Sequence, residues 1–178
     1  MEFFVLFCVL AVIALVLGGT VWTGVPPMPT SRTVRSRMFE VIQGLEPSVI
    51  FELGAGWGGM AVALARRYPR ARVIAVEVSP LPWAVCWLRK LFGGPGNLKV
   101  RFGDVRSQDL EIADLAVCFL CPPAMAKLAP VLEARLKPGA HVLSNTFALP
   151  GWTPLSQDRV ADFHRSAVYL YQKAGVEK

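Results

Sequence analysis

The segment Glu52-Leu-Gly-Ala-Gly-Trp-Gly-Gly59 joins a short apolar run, Ser48 to Leu53, to a helical pattern, Met60 to Tyr68, that Pro69 stops. A strand that turns on glycines straight into a helix is the opening of a βαβ unit. Gly54 and Gly56 allow the tight turn and a close approach of ligand to backbone. The helix start offers unpaired N–H groups to a carboxylate or phosphate.

The rest of the chain keeps the alternation that this opening demands. Arg72 to Glu77 reads as a second strand and Pro80 to Phe92 as a helix, with proline near its N-terminus where it is tolerated. Gly93-Gly-Pro-Gly96 is a turn, Leu98 to Phe102 a third strand, and Ile112 to Leu120 contains a fourth. A helix over Ala124 to Leu136, a strand over Ala140 to Thr146 and a last strand over Ala167 to Tyr171 follow. Upstream, Arg35 to Leu45 places Met38, Val41, Ile42 and Leu45 on one helical face. Strands of about five apolar residues between helices predict an α/β fold, a Rossmann-like, mostly parallel sheet with helices on both faces. Trp83 and Trp87, one helical turn apart, are expected in its core.

Phe3 to Trp22 is a run of 20 residues without a charge. As a helix at ~1.5 Å per residue it would span about 30 Å, the hydrocarbon thickness of a bilayer. Met1-Glu2 gives it no positive n-region, so it reads as a retained anchor rather than a cleaved signal. Positive residues follow it instead, Arg32, Arg35 and Arg37, which by the positive-inside rule puts the domain in the cytoplasm. The expected organisation is a transmembrane anchor over 1–24, a proline-rich spacer over 25–34 and one domain over 35–178. The expectation is thus a single-pass membrane protein held in the lipid bilayer by residues 3–22. From Trp22 to Arg35 the chain reaches at most about 45 Å, at ~3.5 Å per residue, which keeps the domain near the bilayer.

Glu2 is the only charged side chain before Arg32, so the chain's net charge of +6 leaves +7 on the domain itself. The excess is scattered over Arg66, Arg67, Arg70, Arg72, Arg89 and Lys90, unlike the concentrated patch of a nucleic-acid reader, and no nucleic-acid partner is expected. A solvated surface is the plain reading and a contact with anionic lipid or an acidic partner the other. Cys118 and Cys121 form a C-x-x-C within an apolar strand pattern, with no second ligand pair and two isolated histidines, so no metal site is expected. With Cys86 they read as small core residues; Cys8 lies in the apolar run. Ser144, Asn145 and His141 lack the arrangement of a hydrolytic triad.

Gly54, Gly56 and Gly59 also satisfy G-x-G-x-x-G, a dinucleotide fingerprint when read alone. Glu52 argues against that reading. It stands two positions before the first glycine, where dinucleotide sites carry apolar residues and methyltransferases carry an acid beside the cationic methionine end of S-adenosylmethionine. Glu77 ends the second strand, where an acid can accept both ribose hydroxyls, and Gly103-Asp104 ends the third, within reach of an adenine amino group. Glu52, Gly54, Gly56, Gly58, Glu77 and Asp104 are therefore the candidate cofactor-binding residues, and S-adenosylmethionine the expected cofactor.

On these motifs the chain resembles a class I methyltransferase. More narrowly, it resembles the protein-lysine methyltransferases that include the mitochondrial enzymes for ATP synthase c subunit and adenine nucleotide translocase, with archaeal relatives. Pro26-Pro-Met-Pro29-Thr30 is similar to the proline-threonine segment before that family's domain. Glu52 to Gly58 is similar to its D-x-G-x-G-D-G loop, with Glu for the first acid and Trp57 for the second. Asp114 through Phe119-Leu120 to Pro122 and Met125 resembles its fourth strand and turn. Leu136-Lys-Pro-Gly-Ala140 and the segment Phe147 to Pro154 resemble its fifth strand and F-x-x-P-x-W-T-P motif, and Tyr169-Leu-Tyr171 its closing strand. The aromatic of the proline segment is replaced by Pro27.

The resemblance implies methyl transfer to a protein lysine, and its mitochondrial members act on integral membrane proteins. The acceptor is expected near Cys121 and Pro122, with Trp152 as a further acceptor-side candidate. Methyltransferases of nucleobases and glutamine carry Asp or Asn before Pro-Pro and an aromatic after it; Cys121 and Ala124 stand there, so that clamp is missing. Two other readings fit the same residues: a methyltransferase of small molecules or lipid headgroups, and a membrane-tethered nucleotide-binding assembly protein without activity.

Overall fold

The computed structural model describes residues 1–7, 10, 18, 28–162 and 164–175. Residues 2–7 are helical; most of the apolar run 3–22, with Cys8, lies outside the described residues. Among the described residues no helix is long and apolar enough to cross a membrane.

Seven strands form one sheet: β1 Val49–Leu53, β2 Arg72–Glu77, β3 Leu98–Phe102, β4 Leu115–Cys118, β5 His141–Asn145, β6 Ser156–Arg159 and β7 Ala167–Gln172. Their spatial order is β3-β2-β1-β4-β5-β7-β6. The first five pair in parallel, and β7 runs antiparallel to both β5 and β6. The helices are α1 Arg32–Val41, α2 Gly59–Arg67, α3 Pro80–Leu91 and α4 Pro122–Arg135. β1 pairs with β2 on one side and β4 on the other, so the strand order reverses beside the glycine turn. That reversal opens a crevice at the carboxyl ends of the strands.

Side chains alternate along each buried strand and divide the core in two. Ile50 of β1, Val73 and Ala75 of β2 and Val117 of β4 meet Val34, Met38, Leu64 and Cys86 from α1, α2 and α3. Phe51 and Leu53, with Ile74, Val76 and Ala116, meet Met125, Leu128 and Leu132 of α4 on the other face. Asp114 fastens the start of β1: one oxygen accepts the Ser48 and Val49 N–H groups at 2.8 Å each, and the other takes Lys137.

Helix α1 begins one turn before the expected Arg35, because the Ser31 hydroxyl accepts the Val34 N–H at 3.2 Å and caps it. Strand β6, Ser-Gln-Asp-Arg, has no apolar alternation because it is an edge strand with only one neighbour, and the sequence gives no sign of it. Trp87 departs from the core expectation: it is 42% exposed, since α3 buries only Pro82 and Cys86.

Candidate functional site

A crevice of about 590 Å³ lies at the switch point, walled by the ends of β1 to β4 and by α4. Five of the six expected cofactor-side residues, Glu52, Gly54, Gly56, Glu77 and Asp104, line it together. The sixth, Gly58, serves packing. It sits at φ +78 as the N-cap of α2, and a Cβ there would lie 2.5 Å from the Cys86 sulfur. Gly54, at φ +82, holds the same left-handed region, and a Cβ there would lie 2.6 Å from the end of the Leu120 side chain, which would have to give way. Gly56, at φ +52, has nothing within 4 Å of such a position and faces open space.

The turn is held by the strand beside it. The Gly54 and Ala55 N–H groups donate to the Val76 carbonyl at 3.0 and 2.9 Å. Glu77 takes the Gly56 N–H on one oxygen and the Ser79 N–H on the other, at 2.7 Å each. The acid at the end of β2 therefore fixes the glycine turn as well as facing the crevice.

Glu52 is the electrostatic centre of the site. It shares the Ile50 face of β1 and points under the start of α2, only 6% exposed. One oxygen, Oε2, is buried without a hydrogen-bond partner. Burial, and then the charge of Glu77, hold its pKa well above the usual carboxylate range, against a hydrogen bond from the Ala61 backbone. A carboxylate oxygen left bare in a polar-mouthed crevice is suited to a cationic ligand, which would supply the missing partner. Asp104 is placed differently. Both its oxygens turn to the Arg106 guanidinium, at 2.5–3.0 Å, and that hydrogen bond holds its carboxyl below the usual range. No local pattern in the sequence announces this pair.

The acceptor-side candidates are dispersed. Cys121 is the N-cap of α4 and Pro122 its first residue, just behind Phe119 and Leu120, which do line the crevice. Trp152 packs edge-on against Tyr171 with ring centres 6.2 Å apart, and the Lys173 ammonium lies over its ring at 5.8 Å. It belongs to the packing of the Phe147–Pro154 segment, which the Leu149 N–H ties to the Tyr171 hydroxyl at 2.9 Å. Phe147 stacks on Phe119 at 6.3 Å and so links that segment to the crevice wall. Arg89 and Lys127, to which the sequence alone assigns no part in the site, also line the crevice, as does Met28 of the proline segment. Pro29 and Thr30, noted as a motif, lie there as well, with Asn145 Nδ2 donating to the Thr30 hydroxyl at 3.4 Å.

The buried thiols are inert, as expected of core cysteines: burial pushes both Cys86 and Cys118 up to about 12. Ser144 spends its hydroxyl on the Phe147 carbonyl at 2.6 Å.

The family model of the ANTKMT methyltransferase domain matches residues 52–156, from Glu52 through the first residue of β6. A protein-lysine N-methyltransferase of Saccharolobus islandicus strain REY15A is 29% identical over 150 residues, 83% of this chain and 92% of that protein. A malonyl-[acyl-carrier protein] O-methyltransferase of Xylella fastidiosa strain M23 is 30% identical over 122 residues, 64% of this chain and 41% of that protein. Among solved structures, an RNA methyltransferase from Salinibacter ruber in complex with S-adenosyl-L-homocysteine superposes with a TM-score of 0.74 at 28% identity, covering 85% of this chain and 97% of that one. The bare Glu52 oxygen beside the glycine turn fits a cationic group such as the methionine end of S-adenosylmethionine, and Glu77 lines the same crevice. The chain belongs to the ANTKMT methyltransferase domain family and is an S-adenosylmethionine-dependent methyltransferase.

Proposed function

We propose that this enzyme is held at a membrane by residues 1–24 and methylates a lysine amine of a membrane-associated protein. The observation that carries the lysine reading is the 29% identity to a protein-lysine N-methyltransferase along 92% of that protein's length. S-adenosylmethionine supplies an electrophilic methyl group on a cationic sulfur. Glu52 offers its bare oxygen to the positive end of that ligand, and Gly54 and Gly56 let the backbone close on it.

An amine attacks only when neutral, and the chain provides for that with charge rather than with a base. Arg89 and Lys127 line the crevice, and neither is ion-paired among the described residues. Cations beside an approaching ammonium favour its deprotonated form. Phe119 and Leu120 give the end of β4 an apolar wall that excludes water from the reacting pair. With Cys121 and Ala124 at the ends of the Pro-Pro turn, no side-chain amide or carboxylate clamps a planar base or glutamine there.

The test is transfer of labelled methyl from S-adenosylmethionine to a membrane extract by the purified full chain, with protein, lipid, RNA and small molecules separated afterwards. Label on protein, recovered as methyl-lysine and absent with a Gly56→Pro variant, is the expected result. Label in lipid, RNA or a soluble metabolite, with none on lysine, overturns the lysine reading. Binding without transfer to any fraction favours an assembly protein.

A further inference from the structure

The face of the molecule at the end of α3 is apolar and basic together. Trp87, Leu88, Leu91 and Phe92, on the last turn and C-cap of α3, are 42%, 42%, 53% and 80% exposed. Leu88 and Phe92 line a groove of about 740 Å³ between α1, α2 and α3, together with Arg35, Phe39, Val62, Arg66 and Arg89, while Trp87 and Leu91 lie on α3 beside it. Helices α2 and α3 together carry Arg66, Arg67, Arg89 and Lys90 and not one acid. None of these cations, nor Arg35, is ion-paired among the described residues.

We propose that this face docks the domain on an anionic lipid bilayer, with Trp87, Leu91 and Phe92 entering the headgroup–acyl boundary and Arg35, Arg66 and Lys90 meeting phosphates. This deepens the membrane-associated reading above and rests on it for its biological setting. Aromatic and aliphatic side chains flanked by cations have the chemistry of an interfacial surface. Charge selects the occupant. The chain's own run Phe3 to Trp22 carries no charge and would leave the cations of the groove unanswered. An anionic bilayer answers both halves of the face at once. Arg35 stands only 13 residues after Trp22, so the groove lies close to where the apolar run ends. Arg89 and Gly59 line both the groove and the crevice. Docking by this face therefore holds the crevice beside the bilayer surface, where lysines of membrane proteins emerge.

The experiment uses the full chain with vesicles of phosphatidylcholine, alone or mixed with phosphatidylserine, both containing bromine-labelled acyl chains that quench tryptophan on contact. Phosphatidylserine should increase the quenching, and Trp87→Phe should remove that increment. Arg66→Gln with Lys90→Gln should lower the docked-to-undocked ratio roughly 25-fold, about fivefold for each cation removed. Trp87 and Arg66 are exposed and Lys90 is half-buried, so thermal unfolding checks the double variant; Trp87→Phe carries the test if that variant is unstable. Equal quenching in the two kinds of vesicle, or an increment that survives Trp87→Phe, overturns the proposal. So does crosslinking of residues 3–22 to the groove in the full chain without lipid, which would assign the groove to that run. Failure to sediment with phosphatidylcholine vesicles refutes the anchor instead, and recruitment by phosphatidylserine alone would then support the docking face by itself.

Discussion

A buried carboxylate with one bare oxygen is costly in the ligand-free protein, and that cost makes Glu52 testable. Its pKa in the folded chain lies above its unfolded value, so the folded state holds the proton longer. The stability it lends is complete below the unfolded pKa and is lost as pH rises through the folded pKa, where the carboxylate must ionise without a partner. Glu52→Gln should therefore raise the melting temperature of the ligand-free enzyme most at alkaline pH and flatten its dependence on pH. The same change should weaken S-adenosylmethionine binding by about 10- to 100-fold, the scale of a hydrogen bond to a charged group. A cationic ligand favours the ionised form, so binding to the native enzyme should release a proton and tighten with rising pH. Calorimetry in buffers of different ionisation enthalpy measures that proton, and its absence would show Glu52 already ionised. Position made Glu52 legible in the sequence, because an acid two residues before the first glycine has one place to point. Asp104 was legible only as to place. Its pairing with Arg106 depends on the 3-10 turn Val105–Ser107, which folds the arginine back and which no local pattern announces.

At the level of elements, apolar runs and glycine turns revealed the five parallel strands, β7 and the four helices of the domain: a strand buried on both faces must be apolar throughout, and β3, though at the sheet edge, keeps Leu98, Val100 and Phe102 in alternation. β6 stayed hidden because an edge strand is relieved of that demand. Gly58 shows how one residue can match a binding motif and serve packing. Gly58→Ala would set a methyl 2.5 Å from the Cys86 sulfur in a left-handed backbone, and should cost roughly 1–3 kcal/mol of stability. Cys86→Ala in the same chain should restore part of the loss but not all, because the Cys86 backbone at 3.1 Å and the positive φ remain. Denaturant unfolding of the two variants decides it; full rescue would mean that the sulfur contact alone sets the requirement. The join of β1 to the sheet offers a second test. Burial raises the pKa of Asp114, but Lys137 and the Val49 and Ser48 N–H groups outweigh it, leaving the carboxyl below its usual value. The stability it lends is present above the unfolded pKa and lost as pH falls through the folded one. Asp114→Ala should cost about 1.5–3 kcal/mol at neutral pH and less in acid, measured as the shift in denaturant midpoint at two pH values.

For the whole molecule, the described part of the proline segment shortens the tether. Met28, Pro29 and Thr30 already line the crevice, and Met28 is only six steps along the chain from Trp22. At ~3.5 Å each they reach about 21 Å, less than half the distance that the sequence alone suggested. If residues 3–22 span a bilayer, the crevice mouth cannot leave its surface, and acceptors in the same membrane are met at a much higher effective concentration than soluble ones. The charge asymmetry gives this arrangement a direction: Glu2 before the run, and Arg32, Arg35 and Arg37 after it. The expected outcome is one uncleaved span with the domain on the cytoplasmic side. Mass analysis of the membrane fraction should find the peptide from Phe3 to Trp22 still joined to the domain, and protease added outside intact cells should leave the domain whole. Inserting a flexible stretch of a few tens of residues between Trp22 and Met28 should then slow methylation of membrane proteins while leaving transfer to a soluble lysine peptide unchanged. A mature N-terminus near Thr20, or digestion of the domain from outside, would remove the tether and with it the reason for a membrane-bound acceptor. The domain would then stand as a methyltransferase whose substrates are set by its crevice alone.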